Sequence, residues 1–127
     1  MSAHLSKFDI DLQYGQEGES LVESFLRGNG KYEVKRDWEV SRTGNVAVEV
    51  GKKVRDGETD SGLSATEADW WVFVLGGDYY VDEVVIFITT SRLRGIVSQV
   101  TKRDGFIWGG DNKKSKLVLI PVKLLLE

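Results

Sequence analysis

Apolar residues recur at helical spacing in two segments of the chain. In residues 17–27 they are Leu21, Val22, Phe25 and Leu26. After Ser91, a residue type suited to a helix N-cap, they are Leu93, Ile96, Val97 and Val100. Spacings of three and four residues place such side chains on one helical face, so we predict two amphipathic helices. Residues 1–14, before the first helix, are predicted to form a flexible or loosely packed N-terminus.

Alternating or unbroken apolar runs predict five strands. Residues 31–40 and 45–53 alternate on either side of a Gly-Asn pair, which predicts a β-hairpin. Residues 70–75 and 84–89 are unbroken apolar runs typical of buried strands, and residues 116–122 form a last strand. The predicted order is α-β-β-β-β-α-β in a single domain of 127 residues. This order indicates an α/β or α+β fold, with a mixed central sheet flanked by helices.

The composition excludes several kinds of chemistry. The chain has no cysteine, so disulfides, thiolate metal sites and cysteine nucleophiles are excluded. The single histidine, His4, lies in the predicted N-terminal tail, which argues against a catalytic triad or a histidine-rich zinc site. The N-terminal residues do not have the pattern of a signal peptide, and the apolar runs are too short to span a bilayer. We therefore expect a soluble cytoplasmic protein without a membrane partner.

Charge is distributed unevenly along the chain. Residues 1–90 carry 9 basic and 17 acidic side chains, a net charge of −8, whereas residues 91–127 carry 8 basic and 3 acidic ones, a net charge of +5. Such asymmetry indicates either a polyanionic partner or an ordinary solvated basic face. If the partner is DNA, we expect its phosphates to contact Arg92, Arg94, Lys102, Lys113, Lys114 and Lys116.

Three carboxylates are predicted to gather on one side of the sheet. If Thr43 is the centre of the hairpin loop, Asp37 and Glu49 face each other across the two strands. Glu19 extends the apolar stripe of the first helix. Three unpaired acids would repel one another, and a divalent cation relieves that repulsion. Oxygen ligands of this kind suit Mg²⁺.

The helix glutamate, the aspartate and the second glutamate a dozen residues later resemble the motif of the PD-(D/E)XK nuclease superfamily. The stretch SGLSATEADWWVFVL, residues 61–75, is similar to the segment after the active-site strand in small phage and bacterial nucleases, including Holliday-junction-resolvase-like ones. The resemblance implies a restriction-endonuclease-like core and hydrolysis of DNA phosphodiesters with Mg²⁺ or Mn²⁺. It also implies that Asp37 and Glu49 hold the metal, with Glu19 assisting.

The chain departs from this family at its catalytic lysine. The family places that lysine two residues after the glutamate, where Gly51 stands here. In a regular strand Lys52 points to the other face, and Lys53 has the right parity but lies further along. In the predicted hairpin, Lys35 lies opposite Gly51. Lys35 is therefore the first candidate for the catalytic lysine, with Lys53 and Lys52 as the fallback. A bulge at Gly51 would turn the following lysine, Lys52, toward the face of Glu49.

The sequence predicts a metal-dependent DNA endonuclease, with branched DNA as one candidate substrate and Ser61 as a further DNA contact. Enzymes that resemble it commonly cut two strands as dimers, so a homodimer is one expected form. Two alternatives remain: a non-catalytic DNA-binding module on the same fold, and a structural or protein-interaction domain with an incidental acidic cluster. Metal-dependent cleavage of DNA is expected of a nuclease and not of the non-catalytic DNA-binding module. Salt-dependent DNA affinity is expected of the nuclease and of the DNA-binding module, but not of the structural or protein-interaction domain.

Overall fold

The computed structural model describes residues 6–28, 30–37, 39–76 and 83–127. His4 and the predicted turn at 77–82 lie outside these residues. The chain divides into two compact units, Met1–Lys31 and Tyr32–Glu127. Among the described helices, none is both long and apolar enough to cross a lipid bilayer.

The first unit contains helix α1, Lys7–Leu26. Ser6 caps it reciprocally with Asp9: the Asp9 amide donates to Ser6 Oγ at 3.1 Å, and the Ser6 amide donates to the Asp9 carboxylate at 3.3 Å. This capping box explains why the helix begins ten residues before the start predicted from the apolar spacing. None of its described side chains is buried.

The second unit contains two sheets and two further helices. One sheet has the order β1-β4-β5, formed by Tyr32–Asp37, Trp70–Leu75 and Val84–Thr89, with β1 parallel to β4 and β5 antiparallel to it. The other is antiparallel in the order β3-β2-β7-β6, formed by Gly57–Asp60, Asn45–Val54, Ser115–Pro121 and Ile107–Gly109. The helices are α2, Val40–Thr43, and α3, Thr90–Asp104. Short 3₁₀ turns span Gly62–Ser64, Asp111–Lys113 and Val122–Leu126.

The predicted α+β class is confirmed, and each of the seven predicted segments contains a helix or strand of the predicted type. Three short elements, α2, β3 and β6, were not predicted, and the strands form two sheets instead of one. The buried positions Leu93, Val97 and Val100 confirm the apolar stripe predicted for α3. The N-cap of α3 is Thr89 rather than Ser91, because Thr89 Oγ1 accepts the Arg92 amide at 3.2 Å.

The predicted hairpin between residues 31–40 and 45–53 is wrong. β1 pairs with β4, so that Lys35 lies beside Phe73 and Asp37 beside Leu75, while Glu49 of β2 lies opposite Leu117. The cause is local, because α2 replaces the tight turn. The Glu39 amide donates to the Asp37 carboxylate at 2.9 Å, and Gly44 ends the helical turn with a φ of 73°.

Both sheets contribute to one core around α3. The second sheet supplies Val46, Val48, Val118 and Ile120, and the first supplies Trp71, Phe73, Leu75 and Ile88. Thr90 fixes the start of α3 to the segment before β4, because its hydroxyl donates to the Ala68 carbonyl at 2.6 Å and its amide donates to the Asp69 carbonyl at 2.9 Å. The core therefore defines an inner face of the second sheet, which packs toward α3, and an opposite outer face.

Candidate functional site

Glu49 lies on the outer face of the second sheet. Residues directly opposite each other in an antiparallel pair share a face, and Val46 and Val48 are buried on the inner one. Ala47, paired with Leu119, and Glu49, paired with Leu117, therefore lie on the outer face. Glu49 is half-buried, and Ala47 is exposed.

A β-bulge interrupts β2 immediately after Glu49. The pairing with β7 passes from Glu49 and Leu117 to Gly51 and Lys116, so Val50 is an additional residue in the ladder. Because neighbouring residues of β7 point to opposite faces, Gly51 lies on the inner face with Lys116.

The bulge brings Lys52 to the outer face. Lys52 pairs with Ser115, which is two residues from Leu117 and shares its face. Lys52 therefore follows Glu49 on the outer face, at a distance along the strand of about 7 Å from a rise of ~3.4 Å per residue. The expectation that Lys52 points away from Glu49 is wrong for this reason, since it assumed a regular strand.

Gly62 packs directly against the backbone of Glu49. A β-carbon built on Gly62 would lie 2.2 Å from the Glu49 carbonyl oxygen and 2.9 Å from the Glu49 Cβ, and Gly62 has a φ of 54°. Only glycine combines this approach with this backbone conformation. The neighbouring Leu63 is buried in the core, so the 3₁₀ turn anchors the strand at Glu49.

Asp37 lies near the same outer face. With Glu39, Ala47 and Leu119, it lines a cavity of about 110 Å³. Ala47 precedes Glu49 on the outer face by two residues, about 7 Å of strand. Asp37 and Glu49 thus belong to one region of the unit, although they do not face each other across a hairpin.

The third predicted carboxylate, Glu19, lies on α1 in the first unit, where it is exposed. Among the described residues, no group of three histidine, cysteine, aspartate or glutamate side chains is arranged to hold a metal ion. The donor set of Asp37 and Glu49 still suits Mg²⁺, which is usually held by one or two carboxylates together with substrate phosphates.

Lys35 and Lys53 do not occupy the positions that the predicted hairpin gave them. Lys35 does not lie opposite Gly51, because β1 belongs to the other sheet. Its Nζ is 4.0 Å from Glu33 and 5.5 Å from the centre of the Trp71 ring. Lys53 pairs with Glu58 on the inner face, and its Nζ lies 4.5 Å from the centre of the Trp108 ring.

The inner face borders a second cavity, of about 560 Å³. Three of the cations predicted to contact DNA line it, namely Arg94, Lys102 and Lys116. The other three do not: Arg92 lies in the first turn of α3, and Lys113 and Lys114 lie in the connection between β6 and β7. The predicted basic surface is therefore divided, and its cavity-lining part faces away from Glu49.

Ser61, predicted as a DNA contact, is 8% exposed, and its hydroxyl oxygen is buried without a hydrogen-bond partner among the described residues. Gly62, Asp60 and Phe106 were not predicted as site residues. The position of Gly62 between Ser61 and Leu63, which are both buried, is typical of a glycine that another backbone segment approaches closely.

Comparison of the chain with protein-family models, with curated proteins and with solved structures gives no match. The resemblance to PD-(D/E)XK nucleases therefore stands on the residues of this chain.

Proposed function

We propose that the protein is a metal-dependent DNA endonuclease of the PD-(D/E)XK type, with its active site on the outer face. The observation that carries this proposal is the bulge at Val50. Counted along the ladder instead of the sequence, Lys52 stands two positions after Glu49, which is the spacing of the glutamate and lysine in the family motif. The departure at Gly51 then has a physical explanation as a one-residue insertion.

Each residue has a chemical role in this proposal. Asp37 and Glu49 would hold Mg²⁺ or Mn²⁺, and when bound such an ion supplies Lewis-acid stabilisation of charge on the phosphate. Lys52 places a further positive charge on the same face, where it stabilises negative charge that develops on the attacked phosphate. Gly62 and the buried Leu63 keep the strand at Glu49 in a fixed position.

The test is cleavage of duplex, single-stranded and branched DNA with Mg²⁺, with Mn²⁺ and with a chelator. The matched variants are Asp37→Asn and Glu49→Gln, which keep side-chain shape and remove charge. We expect metal-dependent cleavage by the parent protein and its loss in both variants, with unchanged circular dichroism. Equal cleavage by the parent protein and by Glu49→Gln would contradict the proposal.

A second function, DNA binding without catalysis, is favoured by one observation. Asp37 and Glu49 lie on strands of different sheets and do not face each other, unlike the carboxylate pair expected for a metal site. The same experiment separates the two functions. DNA binding that weakens with salt, together with the absence of cleavage under every metal condition, would support the non-catalytic module.

A further inference from the structure

A cavity on the inner face, named here the inner cavity, is open to solvent and has a volume and a lining suited to a ligand. Its volume of about 560 Å³ lies within the range of roughly 300–1,000 Å³ that small-molecule sites occupy. Its lining residues come from β2, β3, the 3₁₀ turn, α3, the loop before β6, and β7: Val50, Asp60, Leu63, Ser64, Arg94, Val97, Ser98, Thr101, Lys102, Phe106 and Lys116.

The charged lining of the inner cavity favours an anion. Three cations, Arg94, Lys102 and Lys116, line it together with one carboxylate, Asp60. The Nζ of Lys116 also lies 3.4 Å from the Glu58 carboxylate, so Glu58 offsets part of its charge, and Arg94 and Lys102 supply the excess of positive charge. Backbone carbonyls hold Arg94, because its guanidinium donates to Leu63 at 3.2 Å and to Thr66 at 3.2 Å, so a carboxylate does not offset its charge there. Lys102 has no ion pair with any described residue.

The hydroxyl groups extend this polar lining. Within the described part of the chain, the Ser64 and Ser98 side chains make no hydrogen bond, so both remain available to a ligand. Thr101 Oγ1 donates to the Val97 carbonyl at 2.7 Å, which leaves its oxygen able to accept from a ligand hydroxyl or amide.

The remaining lining suits a flat apolar group beside the anion. Phe106 is 42% exposed and is oriented by an edge-to-face contact with Trp108, with ring centres 5.6 Å apart and an interplanar angle of 89°. The Nζ of Lys116 lies 4.2 Å from the centre of the Phe106 ring, which joins the aromatic surface to the cationic one. Val50, Leu63 and Val97 complete the apolar lining.

We infer that the inner cavity binds a single nucleotide, with the phosphate among Arg94, Lys102 and Lys116 and the base against Phe106. An inorganic phosphate alone would leave most of the volume empty and the aromatic ring uncovered. The ligand is either a free nucleoside monophosphate or one nucleotide unit of a single strand. Neither source requires cleavage on the outer face, so the inference is independent of the nuclease proposal.

Metal-free titration calorimetry tests the inference with four probes: thymidine 5′-monophosphate, thymidine, inorganic phosphate and a 5′-phosphorylated oligothymidylate. We expect at least one phosphate-bearing thymidine probe to bind more than tenfold tighter than thymidine and than inorganic phosphate. A preference for the monophosphate identifies the free nucleotide as the ligand, and a preference for the oligonucleotide identifies a strand. Failure of both to bind at millimolar concentration would overturn the inference.

Variants locate the site. Lys102→Gln is expected to weaken binding of the preferred probe about tenfold, and Lys123→Gln, an exposed lysine outside the cavity, is the matched control. Phe106→Ala and the packing-conserving Phe106→Leu should each weaken it about fivefold or more, the lower end of the effect of losing one base stack.

Amide resonances of Ser98, Thr101 and Phe106 should shift on titration. Binding unchanged in Lys102→Gln and both Phe106 variants, or shifts confined to Glu49 and Lys52, would assign the ligand elsewhere and overturn the inference.

Discussion

The two faces of the second sheet are built from the same strands but carry different chemistry. The outer face carries Glu49 and then Lys52, with Asp37 nearby. The inner face is apolar where it meets α3 and becomes cationic beyond the bulge, where Lys116 borders a cavity. The difference shows that one additional residue in a strand can decide which side chains reach each face of the sheet. Val50 shifts the register, so that it sends Gly51 inward and Lys52 outward.

After the loss of a metal-holding carboxylate, the largest expected effect comes from the removal of Lys52. If the outer face is catalytic, Lys52→Ala should reduce the cleavage rate by about 10²–10³-fold, the usual loss for one well-placed electrostatic stabiliser. Lys53→Ala is the matched control, because Lys53 lies on the inner face over Trp108. The measurement is single-turnover cleavage at saturating metal. Loss of rate in Lys53→Ala with full activity in Lys52→Ala would mean that β2 is regular and that the bulge does not form.

Apart from the start of α1, the sequence predicted the long elements well, because each is specified locally. The unbroken runs at 70–75 and 84–89 have the same bounds in the structure, and the stripe of α3 is buried as expected. The expectation that residues 84–89 form a buried strand is wrong, because β5 lies at the edge of its sheet, where Ile88 is buried but Val84 and Phe87 are exposed. Pairing between strands was predicted less well, since it depends on residues far apart in the chain. Alternation alone does not distinguish a hairpin from two strands that enter different sheets.

The candidate site shows the same limit. Residue type and spacing predicted Asp37 and Glu49 as site residues, but they did not predict that Lys52 shares a face with Glu49, because a bulge leaves no reliable mark in the residues around it. In the proposed site, Gly51 is a residue displaced by a one-residue insertion and not a missing lysine. The inner cavity could not be predicted from the sequence either, because its lining combines residues that lie far apart in the chain, from Val50 to Lys116.

A second prediction concerns the contact that holds the strand at Glu49. Gly62→Ala should reduce the free energy of unfolding by roughly 2–4 kcal/mol, because the new methyl group meets the Glu49 carbonyl and the left-handed backbone is strained. Urea denaturation measures this change. Gly44→Ala separates the two causes, since Gly44 has a φ of 73° but nothing within 4 Å of an added Cβ. It should cost only about 1 kcal/mol. Equal losses in the two variants would show that the contact with Glu49 is not tight.

The smallest expected effect is that of a lysine placed at position 51. Gly51→Lys supplies the residue that the family motif has in sequence, but its side chain would enter the inner-face cavity of about 320 Å³ that Glu58, Asp60 and Lys116 line. An added Cβ lies 3.3 Å from the Thr59 carbonyl, a small strain that the edge strand β3 can relieve. The loss of a glycine from a strand offsets part of this strain, so stability should change by less than about 1 kcal/mol.

The informative measurement is the double variant Lys52→Ala with Gly51→Lys. Because position 51 faces away from Glu49, the new lysine should not restore the cleavage lost in Lys52→Ala, although both changes together keep the number of lysines constant. Recovery of a substantial part of the rate would place position 51 on the face of Glu49 and refute the register of the bulge. Continued inactivity, with an unfolding curve like that of Lys52→Ala, would support the assignment of position 51 to the inner face. The addition of a lysine would then agree with the removal of Lys52 on which residue lies beside Glu49.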